Sequence, residues 1–317
     1  MKQLKDFENV YFIGAGGIGM SAIARYFLAI GKEVAGYDRT ATPLTSHLEE
    51  EGAHLHFEDN VDLIPCNMQD ASRTLIVYTP AIPKDHNEWA YFREHGFTIM
   101  KRAQVLGLIT RSSKGLCVAG THGKTSTSTM AAHLLYQSSV GCTAFLGGVS
   151  QNYSSNLLLD TNSPYTVIEA DEFDRSFHQL SPWMSVITSD DPDHLDIYGD
   201  EAHYKEAFSQ YTQLIRPGGA LIMHEGLTIT PQVQEGVDIY TYGRTNGDFH
   251  ATNERIGNGA IIIDFVGPDI TIKDVELGVP VAINIDNGVA AMALAYMFFS
   301  VISQSSNIKG QPIGTGS

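Results

Sequence analysis

The chain has 317 residues, with 36 acidic against 20 basic side chains and a formal net charge of −16. That length suits two domains, each able to bury a core, and 43% apolar with 18% charged residues is globular composition rather than disordered. An acidic balance of this size makes the chain a poor candidate for binding nucleic-acid backbones, and Cys66, Cys117 and Cys142 form neither a disulfide framework nor a metal-knuckle spacing.

The opening residues lack the basic-then-apolar pattern of a signal peptide. Asn9 to Ile13 reads as a buried strand, Met20 to Ile30 as a helix, and Glu33 to Tyr37 as a second strand ending at Asp38. Apolar runs at Thr74 to Tyr78 and Phe97 to Met100 continue the alternation, which predicts a parallel sheet flanked by helices. Between the first strand and its helix lies Gly14-Ala15-Gly16-Gly17-Ile18-Gly19, a G-x-G-x-x-G loop. Glycines there let the backbone approach a diphosphate at a helix start, and Asp38 stands where an acid takes ribose hydroxyls. By itself this fits NAD, another nucleoside diphosphate, or a tight turn that only packs helix on strand.

The polar break Thr110 to Gly115 places a domain boundary after residue 113, giving an N-terminal domain over 1–113 and a central one over 114–302. Leu116 to Ala119 reads as a strand and Thr125 to Gln137 as a helix, with Gly120-Thr121-His122-Gly123-Lys124-Thr125 between them. This is the working end of a P-loop: amides for phosphate, Lys124 toward the terminal phosphates, the Thr125 hydroxyl for Mg2+. Val118 stands where the standard motif has its first glycine. The ligand expected is ATP. Further strands are predicted at Tyr165 to Glu169, Met184 to Ser189, Ala220 to His224 and Ile261 to Phe265.

Two acidic segments follow strands, Glu169 to Asp174 and Asp190 to Asp196, and bunched carboxylates suit a hard divalent cation as well as a solvated loop. His194 lies inside the second and is a candidate ligand. The run Val289 to Ile302 reads as a helix apolar nearly all round, hence buried, and is shorter than the ~20 residues of a membrane span. Residues 303–317 read as a polar tail. The whole points to a soluble cytoplasmic enzyme with no membrane or nucleic-acid partner.

Taken together, GAGGIGMSAIA (Gly14 to Ala24), YTPAIP (Tyr78 to Pro83), GTHGKTSTS (Gly120 to Ser128), EADEFD (Glu169 to Asp174), DPDHLD (Asp191 to Asp196) and NIDNGVAA (Asn284 to Ala291) resemble the Mur ligase family over roughly residues 8–298. The Gly-Met-Ser-Ala-Ile-Ala tail of the first loop points to the member that adds alanine. The resemblance implies an N-terminal Rossmann-like α/β domain that holds a UDP-sugar rather than NAD, and a central P-loop ATPase-like α/β domain. It implies UDP-N-acetylmuramate at Gly14, Gly16, Gly17 and Ser21, with Asp38, Thr79 and Ala81 nearby. It implies ATP at Gly120, Thr121, His122, Gly123, Lys124, Thr125 and Ser126, with Asn284 and Asn287 toward the adenine. Lys124 and His194 carry the catalytic assignments, and Thr125, Glu169 and His194 the metal ones, for Mg2+.

The implied reaction activates the muramyl carboxylate as an acyl phosphate, which L-alanine attacks to form an amide. Three departures stand out: Ser189 and Ile283 replace an asparagine and a histidine frequent in the family, and a further amino-acid-binding domain expected after the central one is absent from these residues. The resulting expectation is a chain that binds ligands without completing ligation. A ligand-binding fragment of the related peptide-recycling ligase and an NAD-dependent oxidoreductase are the alternatives.

Overall fold

Strand β1 (Asn9–Ile13) is buried at every position, as strands inside parallel sheets are. The computed structural model describes residues 3–308 apart from 84, 258, 279 and 280. They form two units that alternate along the chain: residues up to Gly115 with Val140–Ser181, and Leu116–Ser139 with the residues from Pro182 onward.

In the first unit β1, β2 (Glu33–Tyr37), β3 (His54–His56), β4 (Thr74–Tyr78) and β5 (Thr98–Lys101) form one sheet in the order β3-β2-β1-β4-β5. Every pairing is parallel, and Ile13 lies level with Tyr37 on one side and Tyr78 on the other. Strand order therefore reverses between β1 and β4, the point at which an open parallel sheet leaves a crevice for a ligand. Helix α1 (Ile18–Ala29) follows β1 and buries Met20, Ile23, Ala24 and Phe27. Helix α2 (Pro43–Glu50) starts cleanly because Thr42 accepts from the Thr45 N–H and Pro43 needs no donor partner. Helices α3 (Asn87–Glu94) and α4 (Arg102–Ser112) complete this segment, over a core that includes Tyr11, Ile76, Met68 and Phe92.

Strand β6 (Lys114–Ala119) and helix α5 (Lys124–Tyr136) lead into the second unit. The chain then returns to the first unit for β7 (Thr143–Ser150), β8 (Ser155–Leu158) and β9 (Tyr165–Ala170). There β7 pairs antiparallel with β8 and parallel with β9.

The second unit continues with β10 (Pro182–Ile187), α6 (Leu195–Tyr198), α7 (Glu201–Thr212), β11 (Ala220–His224) and β12 (Asp238–Gly243). A meander of β13 (Phe249–Gly257), β14 (Ala260–Gly267) and β15 (Ile270–Leu277) precedes α8 (Ile283–Ile308). Its strands run β15-β14-β13-β12-β11-β10-β6, with parallel pairing from β10 to β13 and antiparallel pairing beyond.

Helix α8 is longer than the apolar run predicted. Its first turn is polar, with Asn284, Asp286 and Asn287, so apolarity alone hides its start. Val289, Ala290, Ala293, Leu294 and Phe298 are buried, as the helix's apolar character requires. It runs through Ile308, into the stretch expected as a tail, and 309–317 lie outside the described residues. No helix among the described residues is long and apolar enough to cross a membrane.

Candidate active site

In the second unit a glycine-bearing loop joins β6 to α5. Gly120 (φ +134°) turns the chain out of the strand, and Gly123 in the left-handed region caps α5. The first amides of a helix have no partner inside it and face whatever anion lies ahead. The loop is held by the segment after β10. Thr188 N–H donates to the Ala119 carbonyl (2.9 Å), Thr121 N–H to the Ser189 carbonyl (3.3 Å) and His122 N–H to Ser189 Oγ (2.7 Å). Thr121 Oγ1 donates to the Asp191 carbonyl (2.6 Å) and lies 2.7 Å from the Tyr204 hydroxyl. This explains why β10 ends at Ile187 and not at the predicted Ser189: Thr188 and Ser189 leave the sheet to fasten the loop. Lys124 Nζ lies across the loop, 2.6 Å from the Gly120 carbonyl, and Thr125 and Ser126 follow it, exposed in the first turn of α5.

A cleft of about 450 Å3 runs from His122 and Gly123 past Thr188 to His224, Tyr242, Ile283 and Asp286. Asn287 also lines it, but is only 5% exposed. Its Oδ1 accepts from Thr127 Oγ1 (3.3 Å) and its Nδ2 donates to Asn284 Oδ1 (3.3 Å). Of the two asparagines predicted to meet adenine, Asn287 thus also ties α8 to α5, and Asn284 supports it from within α8.

The acidic segments are strongly engaged with the protein itself. Asp190 accepts from the N–H groups of Thr228 (2.7 Å) and Ile229 (3.1 Å), and Asp193 from the His194 N–H (2.7 Å). His194 caps α6 in the left-handed region. In the first unit Glu169 accepts the Gly147 N–H (2.9 Å), Asp171 meets Arg102 (3.2 Å) and Asp174 meets Lys101 (3.0 Å). Among the described residues no three His, Cys, Asp or Glu side chains converge on a metal position.

The other loop stands at the crevice between β1 and β4. Gly14 N–H donates to the Tyr37 carbonyl (2.8 Å), and Gly16 N–H to Asp38 Oδ2 (2.7 Å). A side chain at Gly16 would put its Cβ 2.8 Å from Thr45 Cγ2 and 3.0 Å from Asp38 Oδ2, so it would force Thr45 or Asp38 to move and break the Asp38 bond to the loop. Thr79 closes on Gly14 from the end of β4, and Ala81 is exposed in the turn beyond. Asp38 therefore shapes the loop rather than standing free of it. Ser21 is buried one turn further on, donating to the Ile18 carbonyl (3.1 Å) and accepting from Asn156 Nδ2 (3.0 Å). It fastens β8 to α1.

Two family patterns cover most of the chain: the Mur ligase family catalytic domain over residues 9–114, and the Mur ligase middle domain over 118–295. The chain belongs to the Mur ligase family. It is 63% identical over 294 residues to the UDP-N-acetylmuramate–L-alanine ligase of Phocaeicola vulgatus, which covers 93% of this chain and 64% of that protein. The protein of the same description from Parabacteroides distasonis is 63% identical over 289 residues, 91% of this chain and 63% of that protein. This chain thus spans a little under two thirds of the length of the curated relatives it matches. The crystal structure of a UDP-N-acetylmuramate–alanine ligase from Thermotoga maritima matches with a TM-score of 0.76 at 26% identity, over 92% of this chain and 65% of that one. The α/β fold is that of the Mur ligases.

No Mur ligase motif announces the polar cluster close to the first loop. Glu88, on α3, is fully buried. Its Oε2 accepts from the Tyr11 hydroxyl (2.6 Å), its Oε1 from the Asn60 N–H (3.2 Å), and His56 Nε2 lies 3.4 Å away. Burial pushes the Glu88 carboxyl up to about 7, against the pull of those hydrogen bonds. Burial also lowers His56 and His86. The His56 carbonyl accepts the Asp38 N–H (3.1 Å), so the cluster connects through Asp38 to Gly16. The sequence does carry a signal for it: Glu88 lies one helical turn before Phe92, on the face of α3 that is buried.

Proposed function

We propose that this chain binds ATP in the cleft of its second unit and UDP-N-acetylmuramate at the glycine loop of its first. The activity proposed for the protein is ATP-dependent joining of L-alanine to the substrate's carboxylate. The observation that carries the reading is Lys124 in the first turn of α5, directly after the left-handed Gly123, with a cleft opening from Gly123. Identity of 63% to ligases described as alanine-adding favours L-alanine over a peptide as the acceptor.

A carboxylate is a poor electrophile because oxide is a poor leaving group. A carboxylate oxygen takes the γ-phosphoryl as the bond to the β-phosphate oxygen breaks and ADP leaves, giving an acyl phosphate. The neutral amine then attacks the carbonyl carbon, the tetrahedral intermediate expels phosphate with the C–O electron pair, and the nitrogen gives up its proton to form the amide. The protein's share is positioning and charge neutralisation. The backbone from Gly123 into the first turn of α5 orients the phosphates, with Thr121 and His122 held by Ser189, and Lys124 offsets their charge. The exposed Thr125 hydroxyl is a hard oxygen donor of the kind Mg2+ takes, and Glu169 and His194 are the other ligands proposed for such ions. Mg2+, when bound, neutralises phosphate charge. In the first unit, Gly16 admits the diphosphate where no side chain would.

Calorimetric titration with UDP-N-acetylmuramate tests the first half: saturable one-to-one binding, lost in Gly16→Val, is expected. Heat with NADH and none with the UDP-sugar would overturn it. ATP titration against Lys124→Met tests the second half. A chromatographic assay for amide formation from ATP, UDP-N-acetylmuramate and L-alanine then measures whether this chain alone completes the reaction.

A further inference from the structure

The cleft holds several polar side chains, and most already have partners within the protein. Ser189 Oγ accepts the His122 N–H, Thr188 Oγ1 donates to the Ala119 carbonyl, Asp190 is held by Thr228 and Ile229, and Asn287 by Thr127 and Asn284. His224 at the end of β11 and Asp286 in the first turn of α8 differ. Their facing atoms, Nε2 and Oδ1, stand 3.5 Å apart, too far for a hydrogen bond of ordinary length. The pair thus brings a donor and an acceptor side by side on one wall while leaving both with capacity to spare. The His224 ring is set edge-on against buried Tyr242, with centroids 5.1 Å apart and planes at 76°. Asp286 sits where the α8 dipole favours a negative charge. Both are therefore oriented before any ligand arrives.

We propose that His224 and Asp286 read the base of the nucleotide and select adenine over guanine, an inference that rests on the ATP reading of this cleft. An adenine edge carries an exocyclic N–H donor beside a ring nitrogen acceptor. A carboxylate accepts from the first and an imidazole N–H donates to the second. Guanine places its carbonyl oxygen where adenine has the amino group, setting acceptor against carboxylate and leaving a charged group without its partner.

The test is competitive displacement of a fluorescent ATP analogue by ATP and by GTP, with the wild-type chain, Asp286→Asn and His224→Phe. The asparagine presents either a donor or an acceptor, and the phenylalanine keeps the packing on Tyr242 while removing the N–H. Wild type is expected to prefer ATP by about tenfold or more, the ratio commanded by one hydrogen bond to a charged group. Asp286→Asn should bring that preference to within about threefold, whereas His224→Phe removes the donor to a ring nitrogen that both purines present and should weaken ATP and GTP alike, by about tenfold. Thermal melting of each variant confirms that it is folded. A wild type that binds both nucleotides equally, an Asp286→Asn variant that keeps its preference, or a His224→Phe variant that binds ATP as wild type does overturns the inference and leaves the ATP reading standing. A wild type that displaces the analogue with neither nucleotide overturns the ATP reading itself.

Discussion

Replacing Gly120 by alanine tests whether the phosphate loop owes its shape to glycine. At φ +134° an L-residue is strained, at a cost of about 1–3 kcal/mol. The added Cβ would also overlap Thr188 Oγ1 and lie 2.8 Å from the Ser189 backbone nitrogen, 3.1 Å from that of Thr188. A side-chain hydroxyl can rotate away, but two backbone nitrogens cannot, and overpacking of that kind adds about 1–3 kcal/mol. The sum, roughly 2–6 kcal/mol, is large against a typical ~5–15 kcal/mol of total stability. The loop relieves it by moving away from 188–189, which breaks the alignment of its amides. ATP affinity, followed by fluorescence titration, should fall at least about tenfold, the equivalent of ~1.4 kcal/mol. The melting temperature should drop by several degrees, at about 2–4 °C per kcal/mol for a unit of this size. Gly17→Ala is the control: Gly17 has φ −67° and its prospective Cβ meets nothing nearer than Met20 Cγ at 3.9 Å. Gly120→Ala binding ATP within twofold of wild type, with an unchanged melt, would refute the argument.

Three further outcomes are expected. Burial lifts the Glu88 carboxyl from 4.5 to about 7, so the native state holds its proton where the unfolded chain has released it. Its stability contribution is present below pH 4.5 and lost as pH rises through about 7. Glu88→Gln should therefore gain on wild type from pH 5 to pH 8 in urea melts, toward a difference on the order of 3 kcal/mol, while the opposing shifts of His56 and His86, present in both proteins, largely cancel; a pH-independent difference would contradict this. Cys66 is exposed, whereas Cys117 and Cys142 are buried with thiols pushed up to about 12, so a native thiol titration should give one fast equivalent and a denatured one all three. Ser189→Ala removes the acceptor of the His122 N–H and should weaken ATP by roughly threefold to tenfold, about the net worth of one hydrogen bond; unchanged affinity would show that the loop holds its form without it.

Both glycine loops were readable because a tight turn between a strand and a helix fixes residue type and spacing in a short stretch. Strands β1, β2, β4 and β11 were predicted at their observed limits, since each is buried through its middle and bounded by polar or turn residues. The β13–β15 meander was read only in part, through Ile261 to Phe265, because β13 and β15 are exposed over much of their length and carry too little apolar pattern. Side-chain partnerships across the sequence were out of reach: Asp38 with Gly16, Ser21 with Asn156, Asn287 with Thr127, Glu88 with Tyr11. Each joins residues from different elements, and no local spacing encodes which of them will meet. Asp190 shows the converse, since an acid inside a suggestive motif is committed to the turn at 228–229.

The alternation of the two units along the chain has a consequence for synthesis. A nascent polypeptide emerges from its N-terminus, yet the first unit lacks β7, β8 and β9 until residue 181 has been made. By then β6 and α5 of the second unit are already outside the ribosome without β10 to pair with. Neither unit can be finished before the other is begun. Intermediate lengths therefore carry unsatisfied strand edges of the sort that chaperones cover and aggregates exploit. The cleft completes last, because its α8 wall is separated from the phosphate loop by about 160 residues of chain. A nucleotide bound there is consequently a reporter that synthesis has passed that helix.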